Sequence, residues 1–259
     1  MKQYIRISLL GLVALTLFFV GCDNSDDAHY ADANWDNADL VRGGLLYDKW
    51  WSVNGGDSPS ADFDPLWASQ SNNTRSGGDT WRCKECHGWD YIGKDGRYSS
   101  GSHYTGFDGV MDASSNSHAA IFDAIKDAGG DHDLSDRLSD ADVLDLVKFI
   151  SEGLIDMYAY MDPDTYAGTG DATNGATLFS DNCAFCHGAD GTEIDFKDDP
   201  GEQGVGWLAN DNPQEVFHKI RWGHPGSLGT AEEMPSMVGL GLTDAETGDI
   251  LTFTQTLPQ

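Results

Sequence analysis

The sequence is poor in cations and in cysteine, and each shortage excludes a class of protein. Only 15 of its 259 residues are Lys or Arg, against 43 Asp or Glu, so the formal net charge is −28. A nucleic-acid partner needs a basic surface to meet its phosphates, and this composition excludes one. Five cysteines are too few for a small secreted fold held by dense disulfides, and their odd number requires its own explanation. The length favours two domains.

The start of the chain accounts for one cysteine. Lys2 and Arg6 precede an apolar stretch from Ile7 to Val20, which is the pattern of an export signal. This stretch of about 14 residues is shorter than the roughly 20 of a typical membrane span, so an uncleaved anchor is the less favoured reading. Ordinary cleavage without lipidation is the other alternative.

Gly21 and Cys22 follow the apolar stretch and resemble the lipobox of bacterial lipoproteins. In that family the cysteine becomes the lipidated first residue of the mature protein. Phe19 departs from the pattern, because the family usually has leucine there. The resemblance implies a lipoprotein signal peptide over residues 1–21, lipidation at Cys22 and a flexible tether over 22–37.

The other four cysteines form two copies of one pattern, C-x-x-C-H, at Cys83–His87 and Cys183–His187. This is the attachment signature of c-type haem. Two cysteines one helical turn apart can each bond to a haem vinyl carbon, and the next imidazole then faces the iron. A four-cysteine zinc site would leave both histidines unexplained, and two short disulfides are the other alternative. We expect two covalently bound haem c groups, held by Cys83, Cys86, Cys183 and Cys186, with His87 and His187 as iron ligands.

The second half resembles the cytochrome c family over about residues 170–259. The run Asn174–Phe179 leads into the second motif, and Pro213–Trp222 reads as a middle helix. Met234 precedes a proline where the family has its methionine ligand. The resemblance implies a helical haem domain that transfers electrons.

The first half repeats the plan. Gly44 parallels Gly175, and Ser139 and Thr243 each stand three residues before an acid, a capping-box pattern in front of a helix. Gly44 lies 39 positions before Cys83, whereas Gly175 lies 8 before its motif, so about 31 residues are inserted. The predicted fold is all-α, with two tandem cytochrome c-like domains at 38–155 and 171–259, joined by a linker at 156–170.

The second iron ligands are predicted from the same comparison. Met234 is favoured in the second domain because a residue before proline tends to be extended, with Met237 as its rival. Met234 follows its proximal histidine by 47 positions, and a similar interval after His87 reaches His132, 45 positions on. His132 is therefore the preferred ligand of the first haem. The alternatives are His103, Met111 and His118.

This ligand set predicts a bis-histidine first haem and a His/Met second haem. Methionine ligation raises the reduction potential, so electrons would run from the first haem to the second. The main functional hypothesis is a dihaem carrier of single electrons between a redox donor and a redox acceptor. A cytochrome subunit of a larger respiratory complex differs from it only in partners. The competing hypothesis is a dihaem enzyme, a peroxidase or a sulfur-compound dehydrogenase, whose first iron is open to substrate.

Two further features bear on partners. Five of the eight tryptophans lie within about 40 residues of the first motif, either as an electron-exchange surface or, as we favour, as packing around a porphyrin. The acidity suggests a basic redox partner or adaptation to a saline environment. Together with the leader, the sequence predicts a protein lipid-anchored on the periplasmic side of a bacterial membrane or at the cell surface.

Overall fold

A computed structural model describes residues 35–196, 203–226 and 233–259. These residues form helices and loops, with isolated bridges and no strand, which confirms the helical part of the predicted fold. The first half contains α1 (Leu40–Asn54), α2 (Cys83–His87), α3 (His118–Lys126) and α4 (Asp140–Lys148), the last continued by a π-helical turn at Phe149–Gly153. The second half contains α5 (Ala172–Asn182), α6 (Ala184–His187), α7 (Val205–Asp211), α8 (Pro213–Trp222) and α9 (Asp244–Thr254). Short 3₁₀ turns occur at Trp35–Asn37, Trp67–Ser69, Gly77–Trp81, Gly101–His103, Asp112–Ser115 and Met157–Ala159.

The predicted leader, residues 1–21, and the lipidation site Cys22 lie outside the described residues. Within the described part, no helix is long and apolar enough to cross a membrane. Of the predicted tether, 35–37 form a 3₁₀ turn in which the Trp35 ring stacks on His118 at 4.1 Å. Residues 35–37, which were predicted as part of the tether, therefore include a residue that packs against α3.

In the first half, α1 and α4 cross in direct backbone contact. A Cβ atom on Gly43 would lie 2.1 Å from the carbonyl oxygen of Asp145 and 2.7 Å from the Cβ of Phe149. Only glycine permits so close an approach. The Asp145 carboxylate also accepts a hydrogen bond from the backbone N–H of Asp39, the N-cap of α1, at 2.7 Å.

The same contacts recur in the second half between α5 and α9. A Cβ on Gly175 would lie 2.0 Å from the carbonyl oxygen of Asp249 and 2.9 Å from the Cβ of Phe253. The Asp249 carboxylate accepts from the backbone N–H of Asp171, the N-cap of α5, at 2.6 Å. The two helix pairs are therefore built from the same four positions.

This correspondence corrects the predicted register by one residue. Gly43, and not Gly44, is the counterpart of Gly175, because each lies against the carbonyl of the aspartate in the last helix. Gly44 faces the other half, and a Cβ there would lie 2.5 Å from the Trp222 ring. Gly43 thus permits the close contact with α4, and Gly44 permits the close contact with Trp222 of the other half.

Both predicted capping boxes are confirmed. The Ser139 side chain accepts from the N–H of Asp142, whose carboxylate accepts from the N–H of Ser139. Thr243 and Glu246 make the same reciprocal pair at the start of α9. These bonds satisfy N–H groups that the first helical turn leaves without partners.

Helix α8 joins the two halves. Its His218 is fully buried, with Nδ1 2.8 Å from the Tyr91 hydroxyl and Nε2 3.2 Å from the carbonyl oxygen of Gly44. A carbonyl cannot donate, so Nε2 carries the proton and Nδ1 accepts from the tyrosine. Arg221 on the same helix donates to the carbonyl oxygen of Gly153 at 2.7 Å. The middle helix of the second half is therefore part of the core of the first.

The predicted linker at 156–170 is packed against both halves. The Tyr158 hydroxyl donates to Asp90 at 2.8 Å, and the Tyr160 ring lies 5.5 Å from that of Phe217. The Gly168 N–H donates to the Gln255 side chain at 2.7 Å. This segment fastens the halves together.

Burial lowers the pKa of His218 from 6.5 to about 3. As the pH falls below 6.5 the unfolded chain binds a proton that the folded protein refuses until about pH 3, so stability falls across that window. We expect His218→Gln to remove about 2 kcal/mol of the loss that the wild type suffers between pH 6.5 and pH 5. Urea unfolding of both haem-loaded proteins at the two pH values measures this difference. Equal pH dependence in the two proteins would contradict it.

Candidate functional site

The first C-x-x-C-H motif lies at a cavity. Cys83, Cys86 and His87 from α2 line one side, and His132 from the loop after α3 lines it as well. The other lining residues are mainly apolar and include Phe63, Leu66, Trp81, Phe107 and Leu134. The structure thus brings the first motif and the preferred second ligand to one cavity.

The two histidines have matching hydrogen bonds. His87 Nδ1 lies 2.7 Å from the carbonyl oxygen of Asp108, and His132 Nδ1 lies 3.1 Å from that of Ala124. Because carbonyls only accept, each Nδ1 carries a proton and each Nε2 keeps a lone pair, as a metal ligand requires. Burial lowers the pKa of both rings, that of His87 to about 4, which keeps them neutral.

The separation of these rings fits a shared metal. Their centroids are 6.2 Å apart. Two metal–nitrogen bonds of about 2 Å and two imidazole radii of about 1.1 Å add to roughly 6 Å, the distance between rings that ligate one metal from opposite sides. The cysteine pair, the apolar walls and the two lone pairs therefore fit a covalently attached haem.

The three alternative ligands lie elsewhere. His103 has both ring nitrogens engaged, Nδ1 with Glu85 at 3.1 Å and Nε2 with Arg75 at 2.9 Å. His118 stacks on Trp35. Met111 packs partly buried against the core and, like the two histidines, is absent from the cavity lining.

The long insertion forms one wall of the cavity. Phe63 stacks on Trp81 at 4.3 Å, and its backbone N–H donates to the Thr80 hydroxyl at 2.9 Å. Leu66 adds to the same wall. The spacing of the two glycines from their motifs predicts only an insertion here, a long loop, and does not predict that it forms a cavity wall. The signal was the presence of large apolar residues, Phe63, Leu66 and Trp67, inside a run of Asp, Ser and Asn.

The two residues between the cysteines of the first motif are buried. Lys84 pairs with Glu85 at 2.6 Å, and Glu85 also accepts from Asn73 at 2.6 Å and from His103. Burial opposes ionisation of Glu85, but His103 and Lys84 outweigh it and bring its pKa to about 2. A charged, fully partnered network therefore covers this side of the first motif.

The second motif has the same backbone in a different setting. Gly88 and Gly188, which follow the two motifs, both have φ 79°, a conformation that favours glycine. Phe185, the counterpart of Glu85, is 98% exposed, and Cys186 is exposed too. This motif lies at the surface.

His187 is half-buried, and burial lowers its pKa. Its Nδ1 is buried and has no hydrogen-bond partner among the residues that the structure describes. The Phe196 ring stacks with the His187 ring, and their centroids are 6.2 Å apart. The neutral imidazole has the protonation state that a metal ligand needs, but within the described part of the chain its Nδ1 lacks the carbonyl partner that His87 and His132 have.

The two candidate methionines differ in setting. Met234 is half-buried, and it exchanges two backbone hydrogen bonds with His224, both 3.0 Å. Met237 is 1% exposed and packs in the core, with its N–H donating to the carbonyl of Ile220. Met237 is therefore a fully buried core residue, whereas Met234 packs against the core with part of its surface exposed.

Comparison with known families separates the two halves. Residues 172–258 match the family model of cytochrome c. This part of the chain is a cytochrome c domain. A domain of this kind implies covalently bound haem c and suggests a haem-based electron-transfer protein. No curated protein and no solved structure matches the chain. Within the described ranges, no group of three or more His, Cys, Asp or Glu side chains could hold a bare metal ion.

The contrast between the two motifs predicts a contrast in stability. Glu85→Ala should lower the free energy of unfolding by about 3 kcal/mol, because it leaves the buried Lys84 ammonium without its partner. Phe185→Ala, at the equivalent position, should change it by less than about 0.5 kcal/mol because the ring is exposed. Guanidinium unfolding of the haem-loaded variants checks both. Similar losses would mean that the motifs share one environment.

Proposed function

We propose that the chain is a dihaem c-type cytochrome that carries single electrons between exported redox partners. The cytochrome c domain supplies one haem, and a second cytochrome c-like domain at 38–155 supplies the other. The haem iron, when bound, accepts and releases one electron. The attachment residues are Cys83 and Cys86 for the first haem and Cys183 and Cys186 for the second.

The proposal of a cytochrome c-like domain at 38–155 is supported by local structure that the two halves share. Gly43 and Asp145 repeat the contact of Gly175 and Asp249, and the capping boxes before α4 and α9 are alike. Helix α2 carries the same motif as α6 and ends in a glycine of the same conformation. Agreement in all of these features supports the same domain architecture in both halves.

The observation that carries the proposed function is the pair His87 and His132. Their rings stand 6.2 Å apart with both Nε2 lone pairs available. If His132 is the second ligand of the first iron, both axial positions are filled by protein. A closed iron suits an electron carrier and argues against a substrate-binding enzyme.

Ligation of the second haem is proposed through His187 and Met234. Met234 stands in an extended bridge with His224, the backbone geometry expected of a residue before proline. Methionine ligation gives the second haem the higher reduction potential. The ligand difference therefore orders the two potentials.

Ligand variants test both assignments. In a redox-poised visible and EPR titration, His132→Ala and Met234→Ala should each remove the six-coordinate low-spin signal of one haem, a different one in each case, because each removes one axial ligand. His118→Gln and Met237→Leu serve as matched controls that should leave both signals in place. An unchanged spectrum in His132→Ala would sink the assignment of His132 and direct the search for the second ligand to His103, Met111 and His118.

The exposed second motif is the proposed face for exchange with an external partner. Phe185 gives it an apolar centre, and Asp181, Asp190 and Glu193 stand near it in sequence. An acidic surround favours a basic partner through long-range attraction.

We also propose that the protein is attached through a lipid on Cys22, on the periplasmic side of the membrane or at the cell surface. Mass spectrometry of the mature N-terminal peptide checks this, because a lipidated Cys22 would carry acyl chains.

Stopped-flow reduction with a basic and an acidic redox protein tests this face. The rate with the basic protein should fall roughly tenfold between about 0.01 M and about 0.15 M ionic strength, because salt screens the attraction. Phe185→Ser should slow that reaction while leaving both potentials unchanged. Equal rates for the two proteins would instead favour adaptation of the acidic surface to saline surroundings.

A further inference from the structure

Asp48 is a buried carboxylate that belongs to neither motif. It lies on α1 of the first half, with no exposed surface. One of its oxygens pairs with the Arg82 guanidinium, and Arg82 Nε donates to the carbonyl oxygen of Asp48 at 2.8 Å. Arg82 directly precedes Cys83, so this pair fixes the start of the first haem-attachment helix to α1.

The other oxygen of Asp48 reaches across to the second half. It accepts from His224 Nδ1 at 2.8 Å. His224 in turn exchanges both backbone hydrogen bonds with Met234. Three connected groups therefore link the attachment helix of one haem to the residue proposed to ligate the other.

The backbone next to His224 leaves little freedom. Gly223 has φ 87°, and a Cβ there would lie 2.3 Å from the carbonyl oxygen of Met234. The two chain segments that form this bridge are thus in close contact, so a displacement of His224 moves Met234 with it. Arg82 and His224 together hold the pKa of Asp48 well below its usual range, against the effect of burial.

We propose that Asp48 is a positioning residue that couples the two haem sites, holding the Met234 segment in place from the domain of the other haem. This inference rests on the proposed function for the identity of the haem ligands. A charge-assisted hydrogen bond to a buried carboxylate is among the stronger single contacts in a protein. Its loss should release the second haem's ligand segment without touching that haem's own motif.

The test compares Asp48→Asn with Asp145→Asn in the haem-loaded full chain. Asp145 is a matched control, because it is also a buried, Arg-paired carboxylate but contacts only its own half. The readout is the rate at which cyanide binds the ferric second haem, followed by EPR. Asp48→Asn should raise this rate roughly tenfold, because ligand release becomes easier, and Asp145→Asn should leave it within about twofold.

A second variant guards against misfolding of Asp48→Asn. His224→Phe removes the cross-domain donor and keeps the Asp48 pair with Arg82, so it should also raise the cyanide rate while the first haem's spectrum stays unchanged. An unchanged rate in His224→Phe, or an equal rise in Asp145→Asn, would overturn the coupling. The charge-transfer band of methionine-ligated ferric haem reports separately on Met234. Its absence from the wild type would refute the proposed ligand, while the cyanide rates still decide the coupling.

Discussion

The structure depends on helix backbones that meet without side chains between them. At Gly43 and at Gly175 the first helix of each half lies against a carbonyl of the last helix, closer than any Cβ would allow. An aspartate in the last helix then accepts from the N-cap residue of the first, so the crossing is fixed in register as well as in distance. Everything between these helices, including the two C-x-x-C-H motifs, is held by this frame.

The two C-x-x-C-H motifs have opposite surroundings. In the first, the residues between the cysteines are buried in a charged network, and the inserted residues Phe63 and Leu66 form part of the cavity wall. In the second, Phe185 faces solvent and Ala184 is half-buried. The asymmetry is a matter of what each motif is packed against, because the local backbone of the two is nearly the same.

Local patterns predicted much of this. The motifs, the capping boxes at Ser139 and Thr243 and the helices that follow them depend on residues only a few positions apart, so spacing alone is informative. The pairing of His87 with His132 was predicted by analogy of interval, and the structure brings the two to one cavity. What could not be predicted depends on distant contacts. Gly43 and Gly44 are indistinguishable until Asp145 and Trp222 are placed beside them. The wall formed by Phe63 and the link from Asp48 to His224 require the fold itself.

The burial of α8 also bears on the history of the chain. A repeated haem unit suggests a duplicated module, and a module would be expected to survive on its own. His218 and Trp222, however, are covered by the first half, and the segment carrying Tyr158 and Tyr160 fastens the halves together. A gene fragment for residues 171–259 alone would encode a helix whose apolar face has lost its cover. If the halves arose by duplication, the second has since come to depend on the first for the cover of α8.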